Sequence, residues 1–163
     1  VSTHREAGAP DGSGGLSKSE VLEAFAAGLR ERCAGAEREL AALAEAAGNE
    51  TKSSAGDKYE TAREMFSQAR DMQRRLLDEA RLQIEWIVRQ DLSSPRTSAG
   101  TGALVRTSEG WMLLAPISGS AQVGTESVQG LSIQSPLGQA LKGAREGGLV
   151  EFRGRRLEIQ RVL

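Results

Sequence analysis

Ser135-Pro136-Leu137-Gly138-Gln139-Ala140-Leu141-Lys142-Gly143 is the stretch on which the reading of this chain turns. Ser135 fits a helix N-cap, whose hydroxyl accepts from a first-turn amide. Pro136 fits the first helical position, where a missing N–H costs nothing. A short helix over 136–141 is expected, then a Gly147-Gly148 turn and the strand-like Arg155-Arg156-Leu157-Glu158-Ile159-Gln160. Outward from this block, short apolar runs predict strands over 103–106, 111–114 and 131–134 before it, and over 149–152 and 157–162 after it. Strands with one helix make a small α+β unit over 103–163.

Upstream, a Ser/Thr/Gly-rich linker is expected over 93–102, after Asp91-Leu92-Ser93-Ser94-Pro95 ends a helix. The pattern before it is helical. Ser17-Lys18-Ser19-Glu20 fits a capping box, with a Ser oxygen meeting a first-turn amide and Glu20 reaching back. Leu22, Ala26, Leu29, Cys33, Ala36, Leu40, Leu43 and Ala47 then recur at spacings of four and three, a seam for a second helix. Gly28 and Gly35 oppose it at about 1 kcal/mol each, while the alanines let two helices approach closely. A break near 48–57 precedes a second run to about Gln90, with Tyr59, Ala62, Phe66, Ala69, Leu76, Ala80, Ile84 and Ile87 on one face. The pairs Asp71/Arg75 and Glu85/Arg89 support its solvent face. Neither helix buries its stripe alone, so an antiparallel hairpin over 17–92 is expected. The fold class is thus α+β: an N-terminal two-helix coiled-coil hairpin, then a small β-sheet domain with one short helix. Residues 1–16 are rich in Gly, Ser, Ala and Pro and read as a disordered tail.

Composition narrows the function. The 163 residues carry a net charge of −1, so wholesale attraction to nucleic acid is not expected. One cysteine (Cys33) and one histidine (His4, in the tail) leave almost nothing from which to build a Cys/His zinc site or a Ser-His-Asp triad. An acyl-transfer enzyme is excluded by length and by the missing Cys-His-Asn set. No stretch approaches the length of a membrane span and no signal peptide is visible, so a soluble, cytoplasmic protein is expected. Opening on Val1 rather than Met fits an incomplete or processed start.

Two blocks carry a family resemblance. The Ser135–Gly143 block with the closing strands, and Asp57-Lys58-Tyr59-Glu60-Thr61-Ala62-Arg63-Glu64 at the start of the second helix, resemble the bacterial Gre transcript-cleavage factors, the GreA/GreB family. The resemblance spans roughly 17–163, and only these two blocks are specific. It implies an FKBP-like C-terminal unit and a hairpin inserted in the secondary channel of RNA polymerase. In the family, acidic side chains at the hairpin tip help hold a second magnesium ion and its water, because a weakly held divalent ion needs carboxylates.

Aligned on Tyr59, the positions of those acids hold Lys52 and Ala55. Neither ligates magnesium, and the lysine opposes it; Glu50 and Asp57 lie nearby in another register. The resemblance therefore implies a factor that modulates elongation without efficient transcript cleavage. It implies no catalytic or metal-binding residue and no cofactor beyond indirect Mg2+ contact in the polymerase. RNA polymerase is the implied partner and nucleic acid is met only through the elongation complex; no membrane or small-molecule substrate is expected. The implied tip residues facing the polymerase active site are Glu50, Lys52, Asp57, Lys58, Tyr59 and Glu60. The implied rim contacts are Ser135, Pro136, Leu137 and Gly138.

Simpler roles stand beside these. Asp57 and Glu60 themselves form a capping box, Glu50 fits a solvated loop carboxylate, and Tyr59 can seal the hairpin end. Lys52 and Lys58 can be surface charge, or can compete for metal-binding carboxylates. Cys33 reads as a small core residue, and Trp111 and Phe152 as core. Two other functions are open: a coiled-coil adaptor, and a prolyl isomerase, which needs an apolar cleft lined by more aromatics than Trp111 and Phe152.

Overall fold

The computed structural model describes residues 15–50, 57–92 and 94–163. Two long helices come first, α1 (Lys18–Glu50) and α2 (Asp57–Val88). The capping box forms as expected. The Ser17 hydroxyl donates to the Glu20 carboxylate at 2.6 Å and accepts from the Glu20 N–H at 3.2 Å, while the Ser17 N–H donates to the same carboxylate at 3.0 Å. Leu16, expected in the tail, is instead buried in one core cluster with Val21. That pairing has the spacing of a hydrophobic staple, which fixes how the chain enters a helix. The rest of the expected tail, 1–14, lies outside the described residues.

The helices run antiparallel. Arg81 of α2 meets Glu37 of α1 at 2.9 Å, and Leu43 and Ala47 late in α1 share a groove with Tyr59 and Phe66 early in α2. Every expected seam residue of α1 is buried or half-buried. On α2 the seam departs from expectation at one step: Leu76 is 47% exposed, and Leu77 at 7% takes its place. Adjacent leucines offer the same hydrophobicity to either face, and the preceding seam step falls on half-buried Gln73, whose polarity hid it. Of the two expected helical ion pairs, Glu85/Arg89 is present at 3.4 Å, whereas Asp71 lies 3.8 Å from Arg70. The end of α2 tightens: the Gln90 N–H donates to the Ile87 carbonyl at 3.1 Å, and its side chain donates to the Trp86 carbonyl at 2.8 Å.

The remainder is a six-stranded sheet with one short helix: β1 (Leu104–Thr107), β2 (Gly110–Leu114), β3 (Ser120–Val123), β4 (Glu126–Leu131), α3 (Pro136–Leu141), β5 (Leu149–Phe152) and β6 (Arg155–Val162). The spatial order is β3-β4-β2-β1-β6-β5, antiparallel except where β2 meets β4. The chain passes from β2 to the edge as β3 and turns back as β4, which makes that parallel pair. The strand expected over 131–134 is corrected: β4 ends at Leu131, and Ile133 and Gln134 form a turn. Strands β3 and β4 escaped the sequence pattern because β3 is an edge strand and the pair buries only Ala121, Val128 and Gly130. Between β5 and β6, Arg153 (φ 49) and Gly154 (φ 76) form a two-residue turn in which both central residues need positive φ.

Both sheet faces are covered, which explains the near-continuous apolar run of β2. Trp111 and Leu113, with Leu104 and Val128, join Val21, Leu22, Phe25, Ala26 and Leu29 of α1 and Ala80 and Ile87 of α2 in one core. On the other face Met112 and Leu114 pack with Val105, Leu141, Ile159 and Val162. The stretch expected as a linker takes part in this second core. Ala99 is buried, its N–H donates to the Ala144 carbonyl at 2.7 Å, and its carbonyl accepts from the Gly143 N–H at 2.8 Å.

Candidate functional site

The far end of the hairpin is built from the last turns of α1 and the first turns of α2. Leu43, Ala44 and Ala47 face Tyr59, Ala62 and Phe66 across a groove of about 490 Å3, bordered by Arg63, Ser67 and Arg70. Small alanines where a seam normally carries leucine leave this space open. Tyr59 is half-buried there, in keeping with a residue that seals the helix pair, and Glu60 is exposed. Glu50 closes α1, and Asp57 and Lys58 open α2. The side chains of those three, and Lys52 and Ala55 altogether, lie outside the described residues. The expected capping role of Asp57 falls there too. Among the described residues, no three His, Cys, Asp or Glu side chains converge on a point that could hold a metal ion.

The second expected site is the start of α3. Ser135 has extended backbone (φ −68, ψ 155). Its hydroxyl accepts from the Gly138 N–H at 3.1 Å and donates to the Ser132 carbonyl at 2.6 Å. Gly138 is buried, Leu137 is half-buried against the second core, and Pro136 is exposed. Ser135 and Gly138 are thus committed to the local fold, and Pro136 is the member of the four most open to a partner.

Where the hairpin joins the sheet, charge is held near the first turn of α1. The Lys18 ammonium is buried without a hydrogen-bond partner. Burial, then the nearby Arg96 guanidinium, hold its pKa below the usual 10.5, with Asp91 acting in the opposite direction. The side-chain and backbone hydrogen bonds from Ser17 hold the Glu20 carboxyl below its usual 4.5. Cys33 is a free, half-buried thiol packed against the first core. Trp111 is 7% exposed and lies beneath the Arg106 guanidinium at 5.4 Å. Phe152 is half-buried with Arg153 over its ring at 5.3 Å. The first of these aromatics is core, as expected, and offers no open wall to a peptide substrate.

The groove between the helices is what sequence reasoning missed. Its signal was there: Arg63 and Arg70 stand seven residues apart, on the same side of α2 as Phe66 and Ser67.

No protein-family model matches the sequence, and no curated protein matches it. Among solved structures, the chain is similar to that of the transcription factor Gfh1, at 17% identity and a TM-score of 0.38, over 86% of this chain and 92% of that one. Among the described residues no helix is long and apolar enough to cross a membrane.

Proposed function

We infer that this protein is a Gre-type factor that binds RNA polymerase, inserts its helical hairpin in the secondary channel and modulates elongation. The observation that carries the reading is the pairing of a 33-residue and a 32-residue helix in one antiparallel rod, rooted by a shared core on a small sheet. At 1.5 Å per residue such helices extend about 50 Å, long and narrow enough to probe a deep pore. The two sequence blocks that resemble the Gre family support the same reading, since one opens α2 and the other forms α3 with its cap. The sheet unit would then be the FKBP-like base, with Pro136 and Leu137 at the channel rim. Tyr59 and Glu60, with Glu50, Lys52, Asp57 and Lys58, would face the polymerase active site. With Lys52 and Ala55 at the positions of the family's acids, the factor would not retain a second magnesium ion efficiently.

A pulldown of core RNA polymerase by the full chain tests the partner. Wild type is expected to retain polymerase, as is a Lys52→Glu/Ala55→Glu variant; failure of the wild type removes the reading. A cleavage assay on stalled elongation complexes with magnesium tests the tip. No efficient shortening of the RNA is expected, and rapid shortening by wild type would show that Glu50 and Asp57 replace the missing acids.

One observation favours an adaptor instead. Met65, Met72 and Leu76 are 66%, 61% and 47% exposed along α2. Loss of polymerase binding on Met72→Glu alone, with Pro136 variants silent, would favour a helix-face interaction over channel insertion.

A further inference from the structure

We propose that the groove at the far end of the hairpin binds a nucleoside phosphate, its base against the Tyr59 and Phe66 rings and its phosphates on Arg63 and Arg70. The volume of about 490 Å3 falls within the range of small-ligand sites, roughly 300–1,000 Å3. Leu43, Ala44, Ala47 and Ala62 give the groove an apolar lining, to which Tyr59 and Phe66 add two aromatic rings. Two arginines complete the lining and, among the described residues, no acidic side chain enters it, in a chain whose net charge is −1.

Both guanidinium groups are available. Arg63 is exposed and has no ion pair among the described residues, and Arg70 has only a loose 3.8 Å contact with Asp71 while both are more than half exposed. Such an exposed contact contributes little. Seven residues apart on a helix, the arginines sit about 10 Å from one another along its axis, with the Ser67 hydroxyl between them. Arginine forks match phosphate oxygens in pairs, and aromatic faces stack on a nucleobase whatever its sequence.

Competing ligands fit less well. An extended acidic peptide would need main-chain partners along its length, but from Ala62 to Arg70 the α2 backbone groups are already paired within the helix. Inorganic phosphate would use the arginines and leave the rings idle.

The site acts in the isolated protein, so its test needs no polymerase and is independent of the function proposed above. The full chain is titrated with N-methylanthraniloyl-labelled ATP and GTP, and the label is displaced with unlabelled ATP, adenosine or inorganic triphosphate. Unlabelled ATP is expected to displace the probe, with adenosine and triphosphate each about tenfold weaker, a difference of about 1.4 kcal/mol. Arg63→Gln/Arg70→Gln is expected to weaken binding at least about tenfold with an unchanged thermal melt. Arg74→Gln/Arg75→Gln, outside the groove, is expected to leave binding unchanged. Phe66→Leu keeps the seam filled and is expected to weaken ATP while sparing triphosphate. Three outcomes overturn the proposal: no displacement by ATP up to about 1 mM, displacement by triphosphate or adenosine as good as by ATP, or equal loss in both arginine pairs.

Discussion

At position 138 the backbone of α3 comes against the turn that follows β4. A Cβ added there would stand 2.1 Å from the Ser132 carbonyl oxygen and 2.8 Å from the Ile133 Cα. Both are main-chain atoms and cannot swing aside. Gly138→Ala is therefore expected to cost about 1–3 kcal/mol or more, read as a lowered urea midpoint, whereas a melt equal to wild type would place α3 differently. Glu20 gives a residue-scale prediction in pH. Its folded pKa lies below the unfolded one, so the unfolded chain binds the extra proton as pH falls. The contribution is present above the usual carboxyl range near 4.5 and is lost as pH drops through the folded value. Thermal melts of wild type and Glu20→Gln should differ at pH 7 and converge in acid; a constant gap would remove the capping box as its cause.

On the scale of elements, the seam outweighs the ion pairs that decorate it. Leu29 is 1% exposed between the helices and the sheet, so Leu29→Ala is expected to cost about 2–5 kcal/mol. Arg81 and Glu37, each 55% exposed, are expected to contribute about 0.2–1 kcal/mol in a double-mutant cycle. The same contrast explains what the sequence disclosed. Alternating steps of three and four from Leu22 to Ala47 announce one helix packed on another, and Ser135-Pro136 announces a capped start. Strands such as Glu126–Leu131 bury only Val128 and Gly130 and announce little. Phe25 and Val21 lie beside the seam and read as ordinary apolar residues, yet they form the wedge that meets the sheet. That contact joins residues about a hundred positions apart, and nothing local encodes it. The groove was only half legible for a related reason: the spacing of Arg63 and Arg70 places them on one side of α2, but it marks a groove only once the alanines of a second helix stand opposite.

Across the whole molecule, one core holds side chains from both helices and from strands β1, β2, β3 and β4. The hairpin base and the sheet should therefore unfold together, in one transition. Fluorescence reports Trp86 at the hairpin base and Trp111 in the sheet, and far-UV circular dichroism reports mainly the helices. Their urea curves are expected to coincide. A helical signal lost well before the Trp111 signal, tested with Trp86→Phe, would show two independent units.

The wedge of Val21, Phe25 and Leu29 on the sheet also acts as the fulcrum of a lever. Over an arm of about 50 Å, each degree of tilt at the fulcrum carries the distant end about 0.9 Å sideways. Side chains as small as Ala115 and Ala121, seated under α1, thereby govern the aim of residues they never approach. Adding a methyl group beneath the fulcrum would turn the pointer before it altered anything at the point.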